Sequence, residues 1–244
     1  MPEIWIKPKD ADVLQAVKDA VEDLDALQNE LMGGERSYTS GERAMQVDYW
    51  GTRGATRKRQ AEVEFLTGVG DWRATLRAAK ADYEQGLQAG SSDHWILGQF
   101  IVLQSVLASA AKVKVGAPGR RRWEETCRAV RLGMDSGNPN EQMWAWSSLA
   151  DLRLVSLREE WPLLDMGDST SVRTDLEAMV RAVGGPDHCA AVWPTFRQFW
   201  RWKAWWQDPA WADAAKEGYD YMWALVLPAL DIEPRTIAAP PNQA

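Results

Sequence analysis

Histidine and cysteine, the residues that most often carry metals or nucleophilic chemistry, are scarce in this chain. Its 244 residues contain two of each: His94, His188, Cys127 and Cys189. None stands in a Cys-x-x-Cys or comparable ligand spacing. The adjacent pair His188 and Cys189 would point about 100° apart on a helix, which is unsuitable for a nucleophile and its base. We therefore predict capping or packing roles for these side chains, with no metal and no cofactor.

Phosphate-binding and acidic motifs are missing too. The segment Gly68-Val-Gly70 has no following Lys-Ser or Lys-Thr, and it comes after a helical pattern rather than a strand. Paired acids such as Glu124 and Glu125 lack the spacing that helical metalloenzymes use. We therefore expect that the protein is not an enzyme. An all-helical enzyme with a buried site is kept as an alternative, because residues distant in sequence can meet in a fold.

Positive charge is in the minority, since the formal net charge is -7. An acidic chain does not suit general binding to nucleic-acid phosphates. Residues 1–12 contain no apolar run of the secretory type, and two distant cysteines fit a reducing compartment, so the predicted location is cytoplasmic. The uncharged stretch Trp95 to Ala111 is short for a membrane span and contains polar residues. We interpret it as a buried central helix and expect no membrane contact.

Tryptophan, in contrast, is abundant: its 15 copies exceed phenylalanine and tyrosine together. Apolar residues recur at helical spacing throughout, and Gly-Pro breakers at 116–119 and 184–186 separate the segments. No segment has the alternation of a strand series. The pattern predicts an all-α protein with helices at about 10–32, 44–67, 71–89, 94–115, 120–134, 140–160, 171–183, 187–206 and 209–227.

The helical pairs begin with similar motifs. Asp48, Asp93, Asn140 and Asp187 each precede a tryptophan, and the intervals between these four positions are 45, 47 and 47 residues. A near-constant period of this size predicts stacked hairpins that share a core. We expect a right-handed superhelix of about four stacked antiparallel helical hairpins with an N-terminal capping helix. A closed bundle is the alternative.

This organisation divides the chain into three parts. Residues 1–43 form a lead-in, a capping helix and a loop. Residues 44–227 form the helical-repeat domain. Residues 228–244 lose the periodic pattern and are rich in proline and alanine, which predicts a disordered tail.

The first hairpin carries a recognisable pattern. Trp50, Gly51 and Gly54 open its first helix, and Ala79 and Tyr83 lie one turn apart on its second helix. Here the chain resembles tetratricopeptide-like helical repeats, and within them the divergent long-hairpin modules that serve as scaffolds or adaptors in signalling kinases and in prokaryotic conflict and stress systems. The resemblance covers about residues 44–227. It implies a protein-interaction function, with the first helices of successive hairpins lining a concave groove.

Arginines recur on those first helices. Arg53 and Arg57 lie one turn apart, as do Arg197 and Arg201, with Arg153 on the helix between. Because the resemblance places these helices on the concave side, the five would form a positive strip. Such a strip suits a carboxylate-rich peptide, a C-terminus or a phosphate-bearing ligand.

Two further features offer candidate contacts. The segment 193–206 has two aromatic faces, and one helix cannot easily bury both. The second face, which includes Trp202 and Trp206, is either wrapped by the last helix or left for a partner; we favour wrapping and keep both residues as candidate contacts. The cluster Arg120-Arg121-Arg122 opens a helix, where positive charge opposes the dipole. It is interpreted as a surface patch offset by nearby acids, with an acidic partner as the alternative.

These features together predict a non-enzymatic scaffold or adaptor in signalling, which presents a helical groove to a protein or peptide partner of acidic character. Aromatic anchors would supply affinity, and arginines would supply selectivity. A sensor that binds a small anionic or nucleotide-like ligand in the same groove is the alternative from another class.

Overall fold

The computed structural model describes residues 11–32, 39–90, 93–163 and 170–230. Within these ranges the chain forms nine α-helices and no β-strand, which confirms the predicted all-α class. Short 3₁₀ turns occupy Pro186–His188 and Leu227–Leu230. In chain order the helices are α1 (Ala11–Met32), α2 (Ser40–Thr67), α3 (Trp72–Gln88), α4 (His94–Ala110), α5 (Ala117–Met134), α6 (Pro139–Glu159), α7 (Val172–Ala182), α8 (Val192–Ala204) and α9 (Ala212–Val226).

The largest differences from the predicted helix boundaries are five residues at the end of α4, five at the start of α8, and four at the start of α2. Helix α2 begins four residues earlier than expected, inside the predicted loop, because Thr39 and Glu42 form a capping box. The Glu42 amide donates to Thr39 Oγ1 at 3.2 Å, and the Thr39 amide donates to Glu42 Oε2 at 2.8 Å. The predicted lead-in before α1, the part of the predicted loop at residues 33–38 and the predicted tail beyond residue 230 lie outside the described residues.

A first compact unit contains α1, α2 and α3. Helices α2 and α3 form a hairpin, with Tyr83 fully buried against Gly54. A Cβ atom at Gly54 would stand 3.0 Å from the Tyr83 ring, so glycine permits the close approach of the two helices. The sequence singled out Gly54 and Tyr83 on these two helices, but it did not predict their contact. Helix α1 packs on α2 and buries Leu14 and Val21.

A second compact unit contains α4 to α9. Helices α4, α5 and α6 pack on one another, α6 packs on α7, and α9 packs on α7 and α8. The approach of α9 depends on Gly218, where a Cβ would stand 2.2 Å from the Phe199 ring and 2.7 Å from Val172. The predicted repeat domain, 44–227, therefore has its first hairpin in one unit and its later helices in the other.

Helix α4 is the apolar centre of the second unit. Most of its side chains are buried, from His94 at its first position to Val106 near its end. This agrees with the interpretation of the uncharged stretch as a buried central helix. None of the helices in the described ranges combines the length and apolar character needed to cross a membrane.

The four positions used to infer a sequence period occupy different places in their helices. Asp93 is the N-cap of α4 and accepts from the Trp95 amide at 2.6 Å. Asp48, however, lies inside α2, Asn140 lies inside α6, and Asp187 lies in a 3₁₀ turn before α8. They are therefore not equivalent capping positions. The superhelix and the tetratricopeptide-like character stay predictions.

Candidate functional site

Arg53 and Arg57, predicted to bind a partner, converge on one buried carboxylate in the first unit. They lie on successive turns of α2, and Asp82 of α3 is 2% exposed. Arg53 Nη1 donates to Asp82 Oδ1 at 2.8 Å, and Arg57 Nη1 donates to the two carboxylate oxygens at 3.0 and 3.1 Å. Asp25 of α1 covers the outer side of the pair, because Arg53 Nε donates to its Oδ1 at 2.6 Å.

The electrostatics of this arginine pair depend on burial. Burial raises the pKa of Asp82 to about 6, although the Arg57 and Arg53 guanidiniums oppose that shift. Burial also raises the pKa of Tyr49, which lies beside the same charges. The Arg53 guanidinium lies 5.2 Å from the centre of the Trp50 ring, within the range of a cation–π contact.

The other three predicted arginines lie in the second unit and have different surroundings. Arg153 of α6 forms a two-point ion pair with Asp175 of α7, with N–O distances of 2.7 and 3.1 Å. Asp175 has no exposed surface. Arg201 is 4% exposed and donates to Gln198 at 3.0 Å, whereas Arg197 is partly exposed. The binding role of these arginines stays a prediction.

Trp202 and Trp206 lie in the interior rather than at the surface, being 1% and 2% exposed. Trp211, which precedes α9, covers them: its ring centre lies 4.8 Å from that of Trp202, and its Nε1 donates to the Trp206 carbonyl at 2.8 Å. Trp202 Nε1 donates to the buried carboxylate of Asp151 at 2.7 Å. This is the wrapped arrangement that we favoured. A direct contact between these two indoles and a partner would require that cover to open, so we do not retain them as contact residues.

A different aromatic group reaches the surface between α8 and α9. We call Trp193, Phe196, Lys203, Tyr219 and Trp223 the α8–α9 aromatic surface. Trp193 is 39% exposed and packs nearly perpendicular to Phe196, with ring centres 6.1 Å apart. Phe196 is buried beneath Tyr219 and Trp223, both at 5.6 Å, and these two rings are parallel within 4°.

One end of this surface carries a cation. Lys203 Nζ lies 3.8 Å above the centre of the Tyr219 ring and 3.8 Å from Asp220. Burial lowers the pKa of Lys203, with Asp220 opposing the shift. Burial also raises the pKa of Tyr219 to about 12. The surface thus combines an exposed indole, a supporting aromatic layer and a partly desolvated ammonium group.

The second unit contains a serine, a histidine and a glutamate in hydrogen-bonding contact. His94 Nδ1 lies 3.1 Å from Ser148 Oγ, and His94 Nε2 lies 3.2 Å from Glu141 Oε1. Ser148 lies in the middle of α6, where the amide groups are used in helical hydrogen bonds. Those amides cannot serve as an oxyanion hole, which acyl transfer needs. The group links α4 to α6, in agreement with the packing role expected for His94.

A second buried polar group holds the end of α6. Arg158 contacts Glu159, Asp208 and the Val113 carbonyl. Glu159 also accepts from Ser105 Oγ at 3.1 Å and from the Val115 amide at 2.9 Å. Hydrogen bonds from Ser109, the Ala210 amide and Arg158 hold the pKa of Asp208 below its usual value against the opposing effect of burial. These charges have partners on neighbouring segments, which is typical of a structural network.

The remaining candidate residues have local partners. Arg120, Arg121 and Arg122 face Glu124 and Glu125 one turn later, at 2.7 to 3.9 Å. This supports the interpretation of the cluster as a surface patch offset by nearby acids. Cys127 and Cys189 are buried, and they are not joined in a disulfide. Within the described ranges, no three His, Cys, Asp or Glu side chains are grouped so that they could hold a metal ion.

The acids that pair with Arg53, Arg57 and Arg153 were not predicted from the sequence. Asp82 lies between Ala79 and Gly86 on the buried face of α3, and Asp175 follows Val172 on the buried face of α7. A carboxylate at an apolar position of a helix signals a buried partner, because an unpaired buried charge is costly. That signal was available in the sequence.

No protein-family model, no curated protein and no solved structure matches the chain. Functional assignment therefore depends on the geometry of the described residues.

Proposed function

We propose that this protein is a non-enzymatic, cytoplasmic interaction scaffold of tetratricopeptide-like character, which binds a protein partner through the α8–α9 aromatic surface. The observation that carries the proposal is the exposure of Trp193 above a buried aromatic layer. An indole that is 39% exposed and packs perpendicular to the Phe196 ring presents a large apolar area in a fixed orientation. Tryptophan and tyrosine dominate the binding energy of protein interfaces for this reason.

The buried aromatic layer beneath Trp193 favours a binding role for this exposed indole. Phe196 and Tyr219 are buried, so the indole stands on a layer that does not need to be ordered when a partner arrives. A contact that is already ordered loses less conformational entropy on association. Lys203 and Asp220 at the edge add charges that can select the partner.

The polar groups inside the second unit also support a scaffold function, because they join helices to one another. The ion pairs of Arg153 with Asp175 and of Arg158 with Asp208 join separate segments of the second unit. In the Ser148, His94 and Glu141 group, the amides around Ser148 are used in the hydrogen bonds of α6. Polar groups of this kind stabilise the packing of helices, so that partner contacts are made by residues at the surface.

Site-specific photocrosslinking tests the proposal directly. A photoreactive phenylalanine analogue at position 193 of the full chain, expressed in the native cell, should form a covalent product with one protein that mass spectrometry can identify. The same analogue at position 157 is the matched control, because Leu157 is a 47% exposed apolar residue of α6 in the same unit. A product from 157 with the same protein, or no product from 193, would contradict the proposal.

The identified partner then permits a quantitative test with purified proteins. Trp193→Ala should weaken binding by about 30-fold or more, equivalent to about 2 kcal/mol, as expected for a central interface residue. Leu157→Ala should leave the dissociation constant within about twofold. A Trp193→Ala variant that keeps the wild-type affinity would exclude the α8–α9 aromatic surface as the interface.

A further inference from the structure

The arginine pair of the first unit has a charge balance that depends on α1. Arg53 and Arg57 carry two positive charges, whereas Asp82 supplies at most one negative charge at the centre of the cluster. The second negative charge comes from Asp25, whose carboxylate contacts Arg53 through Nε and Nη2. Without Asp25, the two guanidiniums would carry an excess of positive charge beside the Trp50 ring.

The two carboxylates differ in how firmly they are held. Asp82 is 2% exposed and belongs to the core of the α2–α3 hairpin, whereas the Asp25 side chain is 44% exposed. The described part of helix α1 also buries few apolar side chains. Among its described side chains, Leu14 and Val21 are the buried apolar residues, whereas Val13 and Leu27 are each 41% exposed. Moving the Asp25 carboxylate therefore disturbs little buried surface.

The geometry around Arg53 is that of a carboxylate receptor. Guanidinium groups bind carboxylates through paired N–H donors, and Arg53 directs two such donors to Asp25 while its third contact fixes it to Asp82. Asp82 is buried and orients Arg53 towards the exposed carboxylate of Asp25. A carboxylate from another molecule can therefore replace Asp25 on the outer side of Arg53.

We propose that Arg53 and Arg57 form a binding site for a carboxylate of an acidic peptide segment in a protein partner, and that Asp25 occupies this site as an internal competitor. The site lies in the first unit and does not depend on the α8–α9 aromatic surface. Binding exchanges one ion pair for another, so it is selective for acidic segments and is weakened by salt.

The test uses the full chain and a fluorescein-labelled hexaglutamate peptide, with fluorescence anisotropy at low salt. Asp25→Ala removes the competitor and should tighten binding about fivefold, equivalent to about 1 kcal/mol. Asp25→Asn, which keeps the shape of the side chain, should act in the same direction. Adding Arg53→Gln to Asp25→Ala should cancel the gain, and physiological salt should reduce it.

Asp23→Ala is the matched control, because Asp23 is an exposed acid of the same helix and its loss changes the net charge equally. It should alter peptide affinity by less than about twofold. Equal tightening by Asp23→Ala and Asp25→Ala would show a general charge effect and overturn the proposal. So would unchanged affinity in both Asp25 variants, once circular dichroism shows that they remain folded.

Trp193→Ala separates this proposal from the proposed function. The variant should bind hexaglutamate as the wild type does, because its substitution lies in the other unit. Inorganic phosphate that displaced the peptide from Asp25→Ala far more strongly than acetate at equal ionic strength would overturn the assignment of the site to carboxylates.

Discussion

The Phe199 ring occupies the space in which a side chain at residue 218 would begin: a Cβ on Gly218 would stand 2.2 Å from Phe199 Cε1. Phe199 is fully buried and cannot move aside. Gly218→Ala should therefore reduce the free energy of unfolding by about 1–3 kcal/mol, measured by urea denaturation. Gly98→Ala is the control, since its Cβ would meet only Ser148 Cβ at 4.0 Å, and it should be neutral or stabilising by up to about 1 kcal/mol. Similar losses in both variants would contradict the packing of α8 on α9.

Arg153 and Asp175 allow a comparison of buried and exposed ion pairs that both involve α7. Arg153→Met should lower the free energy of unfolding by about 3–5 kcal/mol, because Asp175 has no exposed surface and would lose a two-point charged contact. Arg173→Met removes an exposed i,i+4 pair with Glu177 and should cost less than about 0.5 kcal/mol. Urea denaturation measures both variants. Losses of equal size would show that the ion pair between Arg153 and Asp175 is not desolvated in solution.

The hydrogen bond from Trp202 to Asp151 should stabilise the packing of the tryptophan cluster. Asp151→Ala removes the acceptor of a buried indole N–H and should reduce stability by about 1–3 kcal/mol. Asp151→Asn keeps an oxygen acceptor at the same position and should lose less stability. Thermal unfolding followed by near-ultraviolet circular dichroism compares the two. An Asn variant as unstable as the Ala variant would mean that the carboxylate charge, rather than the hydrogen bond, stabilises this region.

Asp82 should make stability depend on pH. Its pKa rises from a usual value of 3.8 to about 6 in the folded protein, so the folded state binds more protons than the unfolded state between these values. Stability should therefore fall as the pH rises through this window, by on the order of 2 to 3 kcal/mol relative to Asp82→Asn. Urea denaturation of both proteins at about pH 4 and pH 7 measures the difference. A difference that is constant, or that grows in favour of the wild type, would show that the two arginines outweigh burial.

The fold class and most helix boundaries were predictable from the sequence because the local signals agree with one another. Breakers such as Gly184-Gly185 separate amphipathic segments, and small and aromatic residues at helical spacing, such as Ala79 and Tyr83, favoured a helix over α3. The capping box at Thr39 and Glu42 was also readable, but we took the polar composition around it as a loop.

The ionic contacts were harder to predict because they join residues on different helices. Arg53 meets Asp82 at a separation of 29 residues, and Arg153 meets Asp175 at a separation of 22. Helical spacing shows which residues share a face, but it does not show which face meets which neighbour. Three of the arginines that were predicted to contact a partner, Arg53, Arg57 and Arg153, are consequently found in internal ion pairs. The same limit applies to Trp202, whose burial depends on Trp211 beyond the end of its own helix.

The close approach of the Trp202, Trp206 and Trp211 indoles gives the protein an intrinsic spectroscopic signal. The rings of Trp206 and Trp211 lie 5.2 and 4.8 Å from that of Trp202, at steep angles of 83° and 74°. Electronic transitions of chromophores at such distances couple, and their fixed angles make the coupling chiroptically active. The native chain should therefore show a near-ultraviolet dichroism signal dominated by this cluster, so that the arrangement of α8 and its connection to α9 can be followed without any attached dye.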